Sequence, residues 1–211
     1  MPAMLETRQL GCQRGDRLLF RRLDLRAGPG ELLRIAGANG SGKTSLLRLL
    51  AGLAQPVAGE VCWQGVDIAR SREVFHATLL YLGHAPALND LLTPLENLEF
   101  ASAAAGLVFS REACVAALDE LGLRRQTGLP CQVLSQGQRR RVGLARLALS
   151  ASRMLWILDE PFTALDVDAV TALAARLDAH CAAGGSVIFT SHQDVAFRTP
   201  LRLLDVEGFG A

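Results

Sequence analysis

Gly37-Ala38-Asn39-Gly40-Ser41-Gly42-Lys43-Thr44 satisfies G-x-x-x-x-G-K-[ST] at every fixed position. The pattern works only between a strand and a helix, and its flanks supply both. Residues 31–36 read as a buried strand and residues 45–51 as an apolar helix. Glycine at 37, 40 and 42 permits backbone angles closed to other residues. The loop N–H groups then turn inward and meet the positive end of the helix, which makes a cradle for a polyphosphate anion. Lys43 can reach the β- and γ-phosphates, and the Thr44 hydroxyl can ligate Mg²⁺. The competing reading is a glycine-rich turn, and it leaves the matched positions and their flanks unexplained.

Three later segments narrow the class. Leu134-Ser135-Gln136-Gly137-Gln138 precedes the basic run Arg139-Arg140-Arg141. Met154 to Leu158 form an apolar strand that ends in Asp159-Glu160. Val187-Ile188-Phe189 form another, followed by Thr190-Ser191-His192. Carboxylates at the carboxyl edge of a parallel sheet sit at the ligand crevice. Neighbouring residues on a strand point to opposite faces, so Asp159 and Glu160 are expected to divide the work. Arg139-Arg140-Arg141 reads as the solvated face of a helix.

In this order the motifs resemble the ATP-binding cassette (ABC) ATPases across essentially all 211 residues. Gln136 replaces the first glycine of that family's signature pair. The resemblance implies an α/β fold of the P-loop NTPase type. Its core is a mainly parallel sheet with an antiparallel N-terminal β part and an inserted helical subdomain. It implies that ATP and Mg²⁺ are bound by Gly37, Ala38, Asn39, Gly40, Ser41, Gly42, Lys43, Thr44 and Ser45, with Thr44 and Asp159 as metal ligands. Glu160 corresponds to the base that polarises the attacking water, and His192 to the switch histidine at the γ-phosphate. Thr163-Ala164-Leu165-Asp166 corresponds to the D-loop. Ser135, Gly137 and Gln138 correspond to the residues that cap ATP held by a second subunit, which implies a head-to-tail homodimer.

Two positions depart from the family pattern. In Tyr81-Leu82-Gly83-His84-Ala85-Pro86 the family's glutamine is His84. An imidazole can also bond water or a phosphate oxygen and titrates near neutrality, so the resemblance gives His84 a catalytic role, a passive loop histidine being the alternative. The family's adenine-stacking aromatic aligns with Arg14, beside Cys12 and Gln13. A guanidinium can stack on a base, but the missing ring weakens base selection. His76 and His180 carry no motif and read as surface or structural residues.

Composition sets outer limits. The chain is 50 % hydrophobic and 20 % charged, the balance of a globular protein. A net charge of +1 provides no field for nucleic acid or an anionic surface. No apolar run approaches a membrane span of about 18 residues, and residues 1–10 lack the apolar core of a signal peptide. Cys12, Cys62, Cys114, Cys131 and Cys181 are scattered without a C-x-x-C pair, and read as buried thiols of a reducing compartment.

Strands are expected at 5–10, 18–25, 59–63, 78–82, 153–158, 186–190 and 201–206. Helices are expected at 94–105, 110–121, 137–150 and 166–183. The chain divides into a core of residues 1–83 and 151–211 and a helical subdomain of about 84–150, one nucleotide-binding domain in all.

Within the family, several details resemble the ATPase subunits of cytochrome c maturation, the Ccm-type haem exporters. They are Val61-Cys62-Trp63-Gln64-Gly65, Gly83-His84, Leu95-Glu96-Asn97-Leu98, Leu155 through Ala164 and Ser191-His192-Gln193. That resemblance implies an integral membrane permease-type partner and a peripheral place on the cytoplasmic face of a bacterial inner membrane. Another small ABC exporter with different cargo and a soluble ABC ATPase are the alternatives. His84, Ala85, Pro86 and Leu88, with Leu91 and Leu92, are expected to line an apolar groove for the membrane partner.

Overall fold

A computed structural model describes residues 4–210. Two five-stranded sheets organise the core. The first is antiparallel, with β1 (Leu5–Arg14) paired to β2 (Arg17–Leu23), β3 (Arg26–Ala27) and β5 (Ala58–Trp63), and β6 (Val66–Asp67) on the outer side of β5. The second is wholly parallel, in the order β10-β4-β9-β8-β7. Its strands are β4 (Leu32–Ala36), β7 (Leu79–Leu82), β8 (Leu155–Leu158), β9 (Ser186–Thr190) and β10 (Leu201–Asp205).

The inner strands of the parallel sheet are buried on both faces, and their sequences are correspondingly continuous in apolar residues. Alternation divides them between two layers. Leu33, Ile35, Leu155, Ile157 and Ile188 face α1 (Lys43–Leu50) and the antiparallel sheet. Leu32, Trp156, Leu158, Val187 and Phe189 face α6 (Val167–Ala182). A third apolar cluster, with Leu95, Leu98, Cys114, Leu118, Leu123, Cys131, Leu134 and Val142, joins α3 (Pro94–Ala104), α4 (Arg111–Asp119) and α5 (Gln136–Leu144).

Differences from the sequence reading are local. α2 (Arg72–Thr78) is an additional helix. It is one short amphipathic stretch that buries only Phe75, so its periodicity is faint. The helix expected over 137–150 stops as α5 at Leu144 and continues as a 3-10 turn over Ala145–Leu147. β1 runs on to Arg14 through irregular pairing with β2. All five cysteines are buried and unpaired, as expected.

Register positions the site. Leu82 pairs with Leu158, Leu158 with Phe189, and Ile35 with Thr190. The carboxyl ends of β4, β9, β8 and β7 therefore lie side by side. The segments that leave them begin at Gly37, Ser191, Asp159 and Gly83.

Candidate active site

Gly37, Gly40 and Gly42 have φ of 137, 80 and 108°, the left-handed angles anticipated for a loop curling over a helix end. A Cβ at Gly42 would press on Leu19 and the Phe20 ring at 3.3 Å. Gly42 is also the N-cap of α1, and no side chain caps that helix. Its first-turn N–H groups are open to an anion. Lys43 Nζ spans the loop, donating to the carbonyls of Gly37 (2.8 Å) and Ala38 (3.0 Å).

Opposite the loop lie the two carboxylates. β8 ends at Leu158, so Asp159 and Glu160 lie just beyond it, and Glu160 has a φ of 50°. The opposite-face expectation fails for that reason: the pleat ends before the pair, and both residues line one cavity. Asp159 is 2 % exposed. Its Oδ1 accepts from Thr190 Oγ1 at 2.7 Å, and Thr190 Oγ1 in turn accepts from Glu160 N at 2.9 Å. Asp159 Oδ2 and Glu160 Oε1 are buried without a hydrogen-bond partner. Such oxygens call for a cation or a polar ligand. Glu160 Oε2 accepts from the His192 backbone N–H at 3.2 Å, and His192 Nε2 lies 3.5 Å from Glu160 Oε1.

The cavity holds about 600 Å³. It is lined by Arg14, Arg17 and Leu19 of the β1–β2 hairpin, by Asn39, Gly40, Gly42, Lys43, Thr44 and Ser45 of the loop and helix start, and by His84, Asp159, Glu160, Thr163 and His192. A cavity that combines cationic side chains, an amide cradle and carboxylates fits a nucleotide polyphosphate with a divalent cation. Sequence reasoning brought His84 and Arg14 to this place. It missed Arg17, which pairs with Arg14 across the β1–β2 turn, and Thr190, whose hydroxyl links Asp159 to Glu160.

Ser135, Gly137, Gln138 and Asp166 do not line this cavity. Ser135 and Gln138 close a reciprocal capping box at the head of α5. A Cβ at Gly137 would lie 2.8 Å from the Ala164 carbonyl, so glycine there lets α5 touch the D-loop segment. Asp166 caps α6 through Ala169 N and pairs with Arg141.

Two further expectations are overturned. The basic run is not a solvated face. Arg139 donates to the Cys131 carbonyl and pairs with Asp90, Arg141 pairs with Asp166, and Arg140 is buried. A polar run hides its burial because guanidinium groups satisfy carbonyls that only the tertiary fold assembles. The apolar groove also differs in its lining. It is a pocket of about 220 Å³ formed by Tyr81, Leu82, Gly83, Ala85, Pro86, Ala87, Gly143, Leu144 and the arginines 140 and 146. Ala87 takes a φ of 52°. His84 lines the main cavity, and Leu88 packs with the α3–α5 cluster.

Fold and site together are those of an ATP-binding cassette. Residues 20–163 match the family described as ABC transporter, and the chain belongs to that family. The chain is 64 % identical over 208 residues to the cytochrome c biogenesis ATP-binding export protein CcmA of Aromatoleum aromaticum, covering 99 % of this chain and 97 % of that protein. The protein of the same name in Pseudomonas putida is 52 % identical over 91 % of this chain and 90 % of its own length. A solved ATP-binding subunit of an ABC transporter is 27 % identical, with a TM-score of 0.79 over 90 % of this chain and 79 % of that one.

Proposed function

We propose that this chain is the ATP-hydrolysing subunit of a membrane export complex that serves cytochrome c biogenesis, with haem as the cargo class of the complex. The observation that carries the catalytic part is a pair of buried carboxylate oxygens without hydrogen-bond partners, in one cavity with an uncapped phosphate loop. The export role rests on the likeness to CcmA proteins over nearly the full length of both chains.

In this reading the loop from Gly37 to Ser45 holds the phosphates through backbone N–H groups and Lys43. Thr44 and Asp159 hold Mg²⁺, which offsets charge on the phosphate oxygens when bound. Glu160 accepts hydrogen bonding from the attacking water and aligns it. His192 bonds the γ-phosphate and keeps Glu160 oriented, and His84 bonds the water or a phosphate oxygen. Arg14 and Arg17 flank the base in place of an aromatic ring, so discrimination among nucleobases is weak. Residues 84–150 act as a helical subdomain on this core.

Ser135, Gly137, Gln138 and Asp166 do not line the chain's own cavity; in this reading they serve the nucleotide of a second copy, so ATP closes a dimer with two shared sites. Among the described residues no helix is long and apolar enough to cross a membrane. The likeness to export ATP-binding proteins supports a separate integral membrane subunit, with this chain docked on the cytoplasmic face of the inner membrane.

Substitution separates the roles. Lys43→Ala loses both ATP binding and turnover. Glu160→Gln binds ATP and retains it, with turnover lower by about a hundredfold or more. Chelation of Mg²⁺ or Asp159→Asn stops hydrolysis while leaving the fold intact. Radiolabelled-ATP retention and phosphate release measure these outcomes. Wild-type turnover by Glu160→Gln rules out the base assignment.

A further inference from the structure

Arg140 is the one member of the basic run that is almost inaccessible, at 7 % exposure. It lies one turn into α5, just behind the Ser135–Gln138 cap. Its Nη1 donates to the carbonyls of Gly83 (3.2 Å) and His84 (3.0 Å). Its Nη2 donates to the carbonyls of Asp159 (2.8 Å) and Glu160 (2.6 Å). One planar fork thus grips the segments leaving β7 and β8. Both segments contribute side chains to the nucleotide cavity.

The environment makes this grip exacting. Burial pushes the Arg140 guanidinium below its ordinary pKa, while the charges of Asp159 and Glu160 act in the opposite sense. A guanidinium stays charged there and needs every acceptor it can find. Glu160 is held at a φ of 50°, an angle that a non-glycine residue keeps only when its surroundings enforce it. The Glu160 N–H bonds Thr190 and its carbonyl bonds Arg140, so both sides of the residue are pinned. α5 also touches the D-loop through Gly137, and Arg141 pairs with Asp166.

We propose that Arg140 is a positioning residue for hydrolysis: it ties the position of α5 to the orientation of Glu160 and His84. Displacement of α5 shifts the Arg140 fork, and the fork shifts both strand ends. Docking of a second subunit at Ser135 and Gln138, at the head of the same helix, is thereby felt at this chain's own Glu160. The proposal rests on the base reading of Glu160. A misplacement of about 1 Å at such a carboxylate costs up to about a hundredfold in rate.

Arg140→Lys tests it in the full chain assembled with its membrane partner. Lysine keeps the charge and the aliphatic stem, but a single nitrogen cannot span four carbonyls. Expected is a fall in kcat of about tenfold to a hundredfold with KM for ATP within about twofold, measured per site that binds nucleotide. Arg140→Met in a Glu160→Gln background, followed over single turnovers, is expected to add less than about twofold to the Glu160→Gln loss. A kcat for Arg140→Lys equal to wild type overturns the positioning role, and so do losses that multiply in the double variant. If Arg140→Met does not fold, the Arg140→Lys kcat decides alone. Glu160→Gln turning over ATP at the wild-type rate instead identifies the base reading as the one at fault.

Discussion

His180 is 7 % exposed and stacks on Trp156 with ring centroids 3.7 Å apart and planes 8° from parallel, so of the two readings open for it, surface or structural, the structural one holds. Gly185 is required beside it, since a Cβ there would collide with the imidazole. Burial pushes the His180 pKa down from 6.5 to about 4. The unfolded chain takes up a proton below about pH 6.5 that the native protein refuses until about pH 4. This contribution to stability is complete above pH 6.5 and is lost as the pH falls towards 4, by about 3 kcal/mol over the window. Urea unfolding at stepped pH should show that decline in the wild type and a flatter one in His180→Phe. At the same scale, Glu160 matters through its backbone bonds to Thr190 Oγ1 and Arg140 as much as through its carboxylate.

Helix starts carry a second lesson. α3 and α5 both open with a reciprocal capping box, Thr93 with Glu96 and Ser135 with Gln138. The first, Thr93-Pro94-Leu95-Glu96, is an N-cap followed by a proline and an acidic first turn, a pattern carried by adjacent residues. The second was read only as a signature motif, although the same hydrogen bonds hold the helix start. Removal separates the two uses. Thr93→Ala should cost about 1 kcal/mol in thermal or urea unfolding and leave ATP turnover unchanged. Ser135→Ala should cost a similar amount in stability and, under the proposed sharing of its hydroxyl with a second subunit's nucleotide, also reduce turnover. Equal turnover in the two variants would confine Ser135 to capping. Arg153 is a further element-level tie. It donates to the carbonyls of His76, Ala77 and Ala105, fastening α3 to the end of α2 beside β8.

For the whole molecule the expected behaviour is ATP-dependent pairing. Glu160→Gln should sediment as a dimer with ATP and as a smaller species without it. Mixed dimers of one Lys43→Ala chain and one Ser135→Arg chain place both lesions in one shared site and leave the other whole. Such dimers should retain about half of the wild-type turnover if the sites act independently. A monomer under every condition, membrane partner included, contradicts the pairing. The membrane subunit itself should raise the ATPase rate by covering the pocket around Pro86, Gly143 and Leu144.

The linear sequence determined the phosphate loop, the parallel strands and the carboxylate pair, because each depends on local pattern. Glycine angles, continuous apolar runs and a strand–loop–helix order are properties of adjacent residues. It also put His84 just beyond the strand that precedes the helical segment, and that residue lines the cavity. Tertiary structure decided what local pattern cannot express. The strand ends meet because β7, β8, β9 and β4 align in register across stretches of sequence that lie far apart. Arg140 is buried because four carbonyls from two such ends converge on it, and no window around Arg139-Arg140-Arg141 contains them. Leu88 and His84 point to different surroundings because the chain turns sharply at Ala87, a left-handed position with no glycine to announce it.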